Sequence, residues 1–483
     1  MINVERTNIN IISKSERVIP LFIELDTEER IKNLADKIAT LDENIANSTL
    51  NKVLKEFENR HVKLKEVLLQ HYKNIEPLVP SPENQSLQKK LLLGTYLTKE
   101  YSVESAALFN PSIVAHPNQN NLKKGELRFV LSLRATGEGH ISSIEFRTGI
   151  ISKEGNITLD PMSSDVMCFG KVENTNFQKK FLIKRIEFYE NIDKSIIDLF
   201  PENFSRQEAL QIISNIDSNK TDNKETETAL FDIFDTNYDI SFEENIEINN
   251  RVIFPKSKAE NMGMEDVRFV KFSDGDKPKY IGTYTAYNGN NIRPQIIETE
   301  DFNHFKINSL YGNAAFNKGM ALFPEKVNGK YVMIGRQDGE NISIMFSDNL
   351  YFWDNYKVIQ KPQYDWDFLQ LGNCGSPIKT SMGWLLITHA VGPLRKYVMS
   401  ASLLDLTNPE KVLSTLDKPF FIPNEHERVG YVPNVVYTCG FLQHYGKLII
   451  PYALSDISSS FAITSIEEIL DELKSNKLLC EKK

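Results

Sequence analysis

A chain of 483 residues, 41% hydrophobic and 25% charged, has globular composition and enough length for one large domain with appendages. A net charge of −9 leaves no basic surplus to follow a polyanion, which excludes nucleic acid as an expected partner. Four scattered cysteines (Cys168, Cys374, Cys439 and Cys480) form no CxxC pair and have no histidine at metal spacing, so no metal site or disulfide framework is expected. The thiols are read as free in a reducing compartment. No apolar h-region follows a basic n-region at the start, and no apolar run is long enough to span a bilayer, so a cytoplasmic protein without a membrane partner is expected.

A strand-like segment at 18–24 comes first. Asp26 with Glu29 then has the spacing of a capping box before a helix through Ile31, Leu34, Ala35, Ile38 and Leu41. Apolar residues from Leu50 and Val53 to Leu68 and Tyr72 predict one longer helix over 47–72, and a third helical stretch covers 85–98. Residues 1–100 therefore read as a helical N-terminal extension without chemistry of its own.

From about residue 109 the pattern changes to short β-branched and aromatic runs cut by Gly, Asn and Asp. Five units of similar order follow. Each has an apolar segment containing a polar residue (110–115, 264–270, 320–327, 372–380, 432–440), a second strand (125–133, 278–287, 329–336, 383–389, 446–453) and a third (141–146, 293–297, 342–346, 397–404, 459–463). Such long-period recurrence fits propeller blades better than a sandwich. The expected fold is mainly β, a five-bladed β-propeller over 101–483. A polar helical insertion is expected at 200–250, with helices at 207–216 and 225–234 and a mobile stretch at 215–227, and a C-terminal helix at about 464–478.

The segment NMGMEDVRF at 261–269 places two carboxylates, Glu265 and Asp266, at the start of an apolar strand. Charge there is costly unless paired or used, and a desolvated carboxyl with a raised pKa is what a general acid needs. A strand-edge ion pair of Asp266 with Arg268 is the plainer alternative. The far ends of the second strands carry Arg134, Tyr287 with Asn288, Arg336, His389 and Asp456, which a propeller would bring around one axis together with Asn110 and Asp266. Taken singly, Arg336 or Lys318 reads as a solvated charge and His389 as a satisfied core histidine; as a ring over five repeats they favour a site.

Several segments together resemble glycoside hydrolase family 130, the mannoside phosphorylases and mannosidases built on a five-bladed propeller. They are NPSI (110–113), LRATGEGHISSI (133–144), GMEDVRF (263–269), YTAYNG (284–289), NKGMALFPEKVNGKYVMIGR (317–336), GSPIKTSMGWLLITHAVG (375–392), YVMSASLLDLTNPEKVL (397–413) and HERVGYVPNVVYTCG (426–440). The resemblance implies Asp266 as general acid of an inverting reaction that passes its proton through a mannose hydroxyl. It implies sugar-binding roles for Asn110, Ser112, Arg134, Tyr287 and Asp456, and phosphate-binding roles for Lys318, Arg336, His389 and Tyr397. The implied substrates are a β-1,2- or β-1,4-linked mannose-containing oligosaccharide and inorganic phosphate, the product is α-mannose 1-phosphate, and no metal or organic cofactor is implied.

The chain departs from the family pattern where Gly319 follows Lys318 and where Arg336 leads into Gln337, Asp338, Gly339 and Glu340. In the hydrolase branch a Glu activates water, so Glu340 keeps an exo-β-mannosidase open, although a loop Glu bonded to Arg336 is the plainer reading. A non-catalytic sugar-binding propeller is the third possibility. Family precedent for terminal helices at subunit contacts makes a homo-oligomer an expectation.

Overall fold

The computed structural model describes residues 2–162, 166–173, 175–189, 192–216, 221–273 and 279–480. Near the N-terminus, Val18–Phe22 pairs antiparallel with Thr98–Ser102, and four helices lie between them: Glu28–Ala39, Glu43–Phe57, Leu64–Ile75 and Leu87–Tyr96. Each turns an apolar stripe inward, and Ile38, Leu50, Leu54, Leu68, Tyr72 and Leu92 form their common core. No helix among the described residues is long and apolar enough to cross a membrane.

Two local expectations are corrected here. The capping box from Asp26 to Glu29 does not form: the N-cap is Thr27, whose hydroxyl accepts the Arg30 N–H at 3.3 Å, while Asp26 ion-pairs with the Arg30 side chain at 2.6 Å. The single helix over 47–72 is two helices. A 3-10 turn, Glu58–Arg60, leads to an extended His61 and a left-handed Lys63 with φ 50°. Arg60 and His61 both reach Glu100, at 2.7 and 2.8 Å, so a tertiary ion pair overrides the local period.

The rest of the chain is mainly β, in five groups of antiparallel strands, of which the first two are joined into one sheet by a parallel pairing of Ser142 with Gly263. The first comprises Ala107–Ala115, Leu127–Thr136, Ser142–Ile151 and Ile157–Leu159, and the second Gly263–Phe272, Lys279–Tyr287, Ile292–Thr299 and His304–Ser309. The third comprises Ala321–Leu322, Tyr331–Gly335, Ile342–Ser347 and Lys357–Gln360. The fourth sets Gln370–Asn373 and Ile378–Lys379 against Trp384–Val391, followed by Tyr397–Leu404 and Val412–Thr415. The fifth sets Val436–Tyr437 and Leu442–His444 against Lys447–Leu454, followed by Ser458–Ser465. Its outer strand is Val4–Arg6, from the other end of the chain.

Each group packs a face on the next. Phe146 of the first meets Val267 and Tyr284 of the second. Phe272 and Ile281 meet Met333 of the third, and Ile334 and Ile344 meet Trp384 and Leu386 of the fourth. Ile387 and Met399 meet Val436 and Ile450 of the fifth, and Ile449 and Phe461 meet Leu131 and Leu133 of the first. Each such fully buried side chain contributes about 1.5–3 kcal/mol. The contacts close on themselves, so the inner ends of all five groups face one region.

The insertion is larger than expected. It contains the helices Lys179–Ile186, Arg206–Ser214 and Thr221–Thr236 around Phe177, Phe200, Phe204 and Phe234. Its end, Tyr238–Ser241, is not separate from the sheets: it pairs antiparallel with His304–Ser309 as a further strand of the second group. Of the stretch expected to be mobile, residues 217–220 lie outside the described residues, and the chain is helical from Thr221. The C-terminal helix is Ile466–Cys480.

One buried ionic cluster joins these parts. Arg17 approaches Glu104 at 2.6 Å and Glu145 at 3.2 Å, and Arg147 reaches the same two carboxylates, each at 3.1 Å. Arg17 also donates to the Asn249 carbonyl at 2.6 Å, which ties down the end of the insertion. Removing one member strands buried charge, so Arg17→Met is expected to destabilise the protein by about 3–5 kcal/mol. This reads as a lower urea midpoint at unchanged slope; an unchanged midpoint would show that the cluster is neutral to stability.

Candidate active site

The site begins with two irregularities in strand pairing. In Ala107–Ala115 the register shifts between Phe109 and Ser112, and in Gly263–Phe272 it shifts between Glu265 and Arg268. Within these bulges Asn110 and Asp266 take left-handed backbone, φ 48° and 56°. A bulge re-aims a side chain that regular alternation would send elsewhere. Both residues line a cavity of about 220 Å³, where the Asn110 amide donates to Asp266 Oδ1 at 2.7 Å. Asp456 and Arg395, both φ 55°, line the same cavity, so four residues in left-handed backbone, each at a cost of about 1–3 kcal/mol, meet here.

Arg134 bridges the two acids, with Nη1 3.3 Å from Asp266 Oδ1 and Nη2 2.8 Å from Glu265 Oε1. The other Glu265 oxygen receives Lys318 Nζ at 2.6 Å, so Glu265 orients two cations and Asp266 is left facing the cavity. Arg268 does not form the expected pair with the Asp266 carboxylate: its Nη1 donates to the Asp266 backbone carbonyl at 3.1 Å, and its Nη2 bonds the Tyr437 hydroxyl.

Electrostatics correct a second expectation. Burial opposes the Asp266 charge, but Arg134, Arg268, the Asn110 amide and Lys318 outweigh it and hold the carboxyl below the ordinary aspartate value. It is Asp456 that carries the raised pKa: burial and then the Asp266 charge push it up to about 6, against Arg134 and Arg395.

Arg336, His389 and Tyr397 line the same cavity. His389 Nδ1 lies 3.1 Å from the Asn373 carbonyl and Nε2 lies 3.2 Å from Arg336 Nη1. Burial, then Arg336 and Arg268, lower its pKa well below the usual value, so the ring is neutral. A carbonyl can only accept, which assigns the hydrogen to Nδ1 and makes Nε2 the acceptor for Arg336. The Tyr397 ring stacks on His389 with centroids 6.0 Å apart.

Of the residues singled out from the sequence, Asn110, Arg134, Asp266, Lys318, Arg336, His389, Tyr397 and Asp456 line this cavity, and Ser112 and Tyr287 do not. Ser112 is buried, and its hydroxyl accepts the Phe269 N–H at 3.2 Å. Tyr287 donates to the Gly289 carbonyl at 2.8 Å, and its ring centre is 5.9 Å from the Lys318 ammonium. Asn288 accepts the Asn290 and Asn291 N–H groups and fixes a turn. Glu340 is exposed and does not line the cavity, and among the described residues its side chain makes no bond to Arg336.

Sequence reasoning missed Arg268 as a wall residue, and also Thr285, Gln370, Asn373, Arg395 and Tyr437. Gln370 and Asn373 begin and end the inner strand of the fourth group, where the repeat could have pointed to them.

A cavity lined by two half-buried carboxylates together with several cations and two phenols suits a small, hydroxyl-rich or anionic substrate. The family model described as β-1,4-mannooligosaccharide phosphorylase matches residues 220–475. A 1,2-β-oligomannan phosphorylase of Thermoanaerobacter sp. (strain X514) is 34% identical over 227 residues, 46% of this chain and 75% of that protein. A β-1,2-mannobiose phosphorylase of Listeria innocua is 30% identical over 231 residues, 46% of this chain and 63% of that protein. A solved β-1,2-mannobiose phosphorylase from Listeria innocua, in complex with β-1,2-mannobiose, superposes with a TM-score of 0.46 at 20% identity, covering 78% of this chain and 93% of that one. The chain belongs to glycoside hydrolase family 130 and is an enzyme.

Proposed function

We propose that the protein is a five-bladed propeller enzyme that cleaves a β-1,2- or β-1,4-mannoside with inorganic phosphate, inverts the anomeric centre and releases α-mannose 1-phosphate. The observation that carries this reading is one cavity that brings two sets of groups together: Asn110, Arg134, Asp266 and Asp456 from the first, second and fifth strand groups, and Lys318, Arg336 and Tyr397 from the third and fourth. The first set suits sugar hydroxyls. The second offers the cations and donors that bind and align a phosphate dianion, so no separate base is required.

A phosphate oxygen attacks C1 of the terminal mannose on the face opposite the glycosidic oxygen, and the C1–O bond breaks as the new one forms. The departing oxygen takes a proton that originates on Asp266 and passes through a mannose hydroxyl. Asp266 is held ionised by Arg134, Arg268 and Lys318 when no anion is bound. A phosphate dianion beside Lys318 offsets that cationic field and raises the proton affinity of Asp266, so the acid forms when the co-substrate is present. His389, an acceptor for Arg336, positions the cation instead of donating to phosphate.

Cleavage of β-1,2- or β-1,4-mannobiose is therefore expected only with phosphate, and cleavage at the same rate without it would replace this reading with hydrolysis.

Asp456 supplies a pH test. Its ionised form accepts hydroxyl hydrogens, so kcat/KM for the mannoside is expected to rise with pH through about 6. Stability runs the other way. Between 3.8 and about 6 the folded protein holds a proton that the unfolded chain has lost, so this group's contribution falls as pH rises through that window. Asp456→Asn should remove the rise in kcat/KM and this group's share of the stability change, and an acid limb that persists in the variant would belong to another group.

A further inference from the structure

We propose that a cavity in the N-terminal helical extension is a binding site for a small, mostly apolar molecule that carries one N–H or O–H donor, which His61 accepts. The cavity, about 330 Å³, is larger than the active-site cavity and shares no residue with it. It gives a function to a part of the chain whose sequence pattern predicts only helix packing.

The cavity follows from the break in the helix expected over 47–72. In one continuous helix Val53, Phe57, Leu64 and Leu68 would share a single stripe. The turn at Glu58–Arg60, the extended His61 and the left-handed Lys63 redirect the second half, so these four side chains, from two helices, wall a common space with Leu92 of a third. Leu64, Leu68 and Leu92 are buried. The helices Leu64–Ile75 and Leu87–Tyr96 already touch backbone to backbone: a Cβ on Gly94 would lie 2.2 Å from the Leu68 carbonyl oxygen. They cannot move closer to fill the space.

The polar part of the wall offers acceptors. The Thr49 and Thr95 hydroxyls donate to the Ile45 and Leu92 carbonyls of their own helices, at 2.9 and 2.6 Å. Thr98 Oγ1 lies 2.7 Å from the Gly94 carbonyl and 2.7 Å from His71 Nδ1, so its hydrogen is committed as well. Glu100 accepts from Arg60 Nε at 2.7 Å and from His61 Nε2 at 2.8 Å. Burial lowers the His61 pKa and keeps the ring neutral, and a carboxylate can only accept, which assigns the one ring hydrogen to Nε2. His61 Nδ1 is left as a lone-pair acceptor, buried and without a hydrogen-bond partner among the described residues, on a residue 6% exposed that lines the cavity. An orphaned buried acceptor is costly, and water is poorly held in a space walled largely by leucine, valine and phenylalanine. An apolar molecule with one donor satisfies both.

The test titrates two probes into the full chain by calorimetry: indole, which has one N–H donor, and benzofuran, the same pair of rings with an oxygen in place of that N–H. Indole is expected to bind about tenfold more tightly, the effect of one hydrogen bond to an otherwise unpaired acceptor. Val53→Phe, which puts a ring into the cavity, is expected to abolish binding of both probes, and His61→Phe to bring their affinities within about twofold of each other. Equal affinity of the parent for the two, no binding of either, or indole binding unchanged in Val53→Phe would overturn the proposal, and so would a tenfold preference for indole that persists without the imidazole. Should His61→Phe fail to fold, the two probes on the parent and on Val53→Phe decide the matter.

Discussion

Asp266→Asn is expected to lower kcat for phosphorolysis by about 10²- to 10⁴-fold, the contribution of a positioned general acid, with little change in KM for the mannoside. The substitution keeps the shape of the side chain. Arg134 keeps Glu265 at 2.8 Å and Arg268 keeps Tyr437, so no buried cation loses its last partner. Thermal stability should therefore stay close to the parent's, and the loss can be assigned to chemistry. A kcat within a few-fold of the parent would move the acid to another group, and Asp456, up to about 6, would be the next candidate.

Arg336→Met is expected to raise KM for phosphate by about 10- to 100-fold, since a charge-assisted hydrogen bond contributes about 1.5–3 kcal/mol. KM for the mannoside should hold, because the residues proposed to face the sugar are on other strand groups. His389→Ala should show the same pattern in smaller measure, as it removes the acceptor 3.2 Å from Arg336 Nη1. The neutral ring predicts no ionisation of its own near pH 6.5 in the phosphate dependence. A variant of Arg336 with unchanged KM for phosphate would place the anion elsewhere, with Lys318 and Arg395 as the remaining cations of the cavity apart from Arg134 and Arg268.

The strand order was legible because the inner residues repeat. Trp384–Val391 and Tyr397–Leu404 lie within a residue or two of where alternation and turn residues place them. The motif residues at strand ends, Arg134, Arg336, His389 and Asp456, came together as the repeat implied.

What sequence reading could not supply was the effect of a single extra residue. A bulge reverses which side chains face inward, so Asn110 enters the cavity and Ser112, two positions on, secures the Phe269 amide instead. The charge state of Asp266 was misjudged for a similar reason. Desolvation can be anticipated from apolar neighbours, but its effect is reversed by Arg134, the nearby Arg268, the Asn110 amide and Lys318, of which only Arg268 is close in sequence. Arg395 lies on the short turn Pro393–Arg395 in left-handed backbone, which no local pattern announces. The closing strand Val4–Arg6 is fixed by its partner at Ser458–Ser465 and not by its own three residues.

The most direct measurement is time-resolved proton and phosphorus NMR of β-1,2- and β-1,4-mannobiose with the enzyme in phosphate buffer. The expected first product is the α-anomer of mannose 1-phosphate, formed in step with one equivalent of free mannose. Two equivalents of mannose with no sugar phosphate, or a β-configured phosphate, would contradict the account.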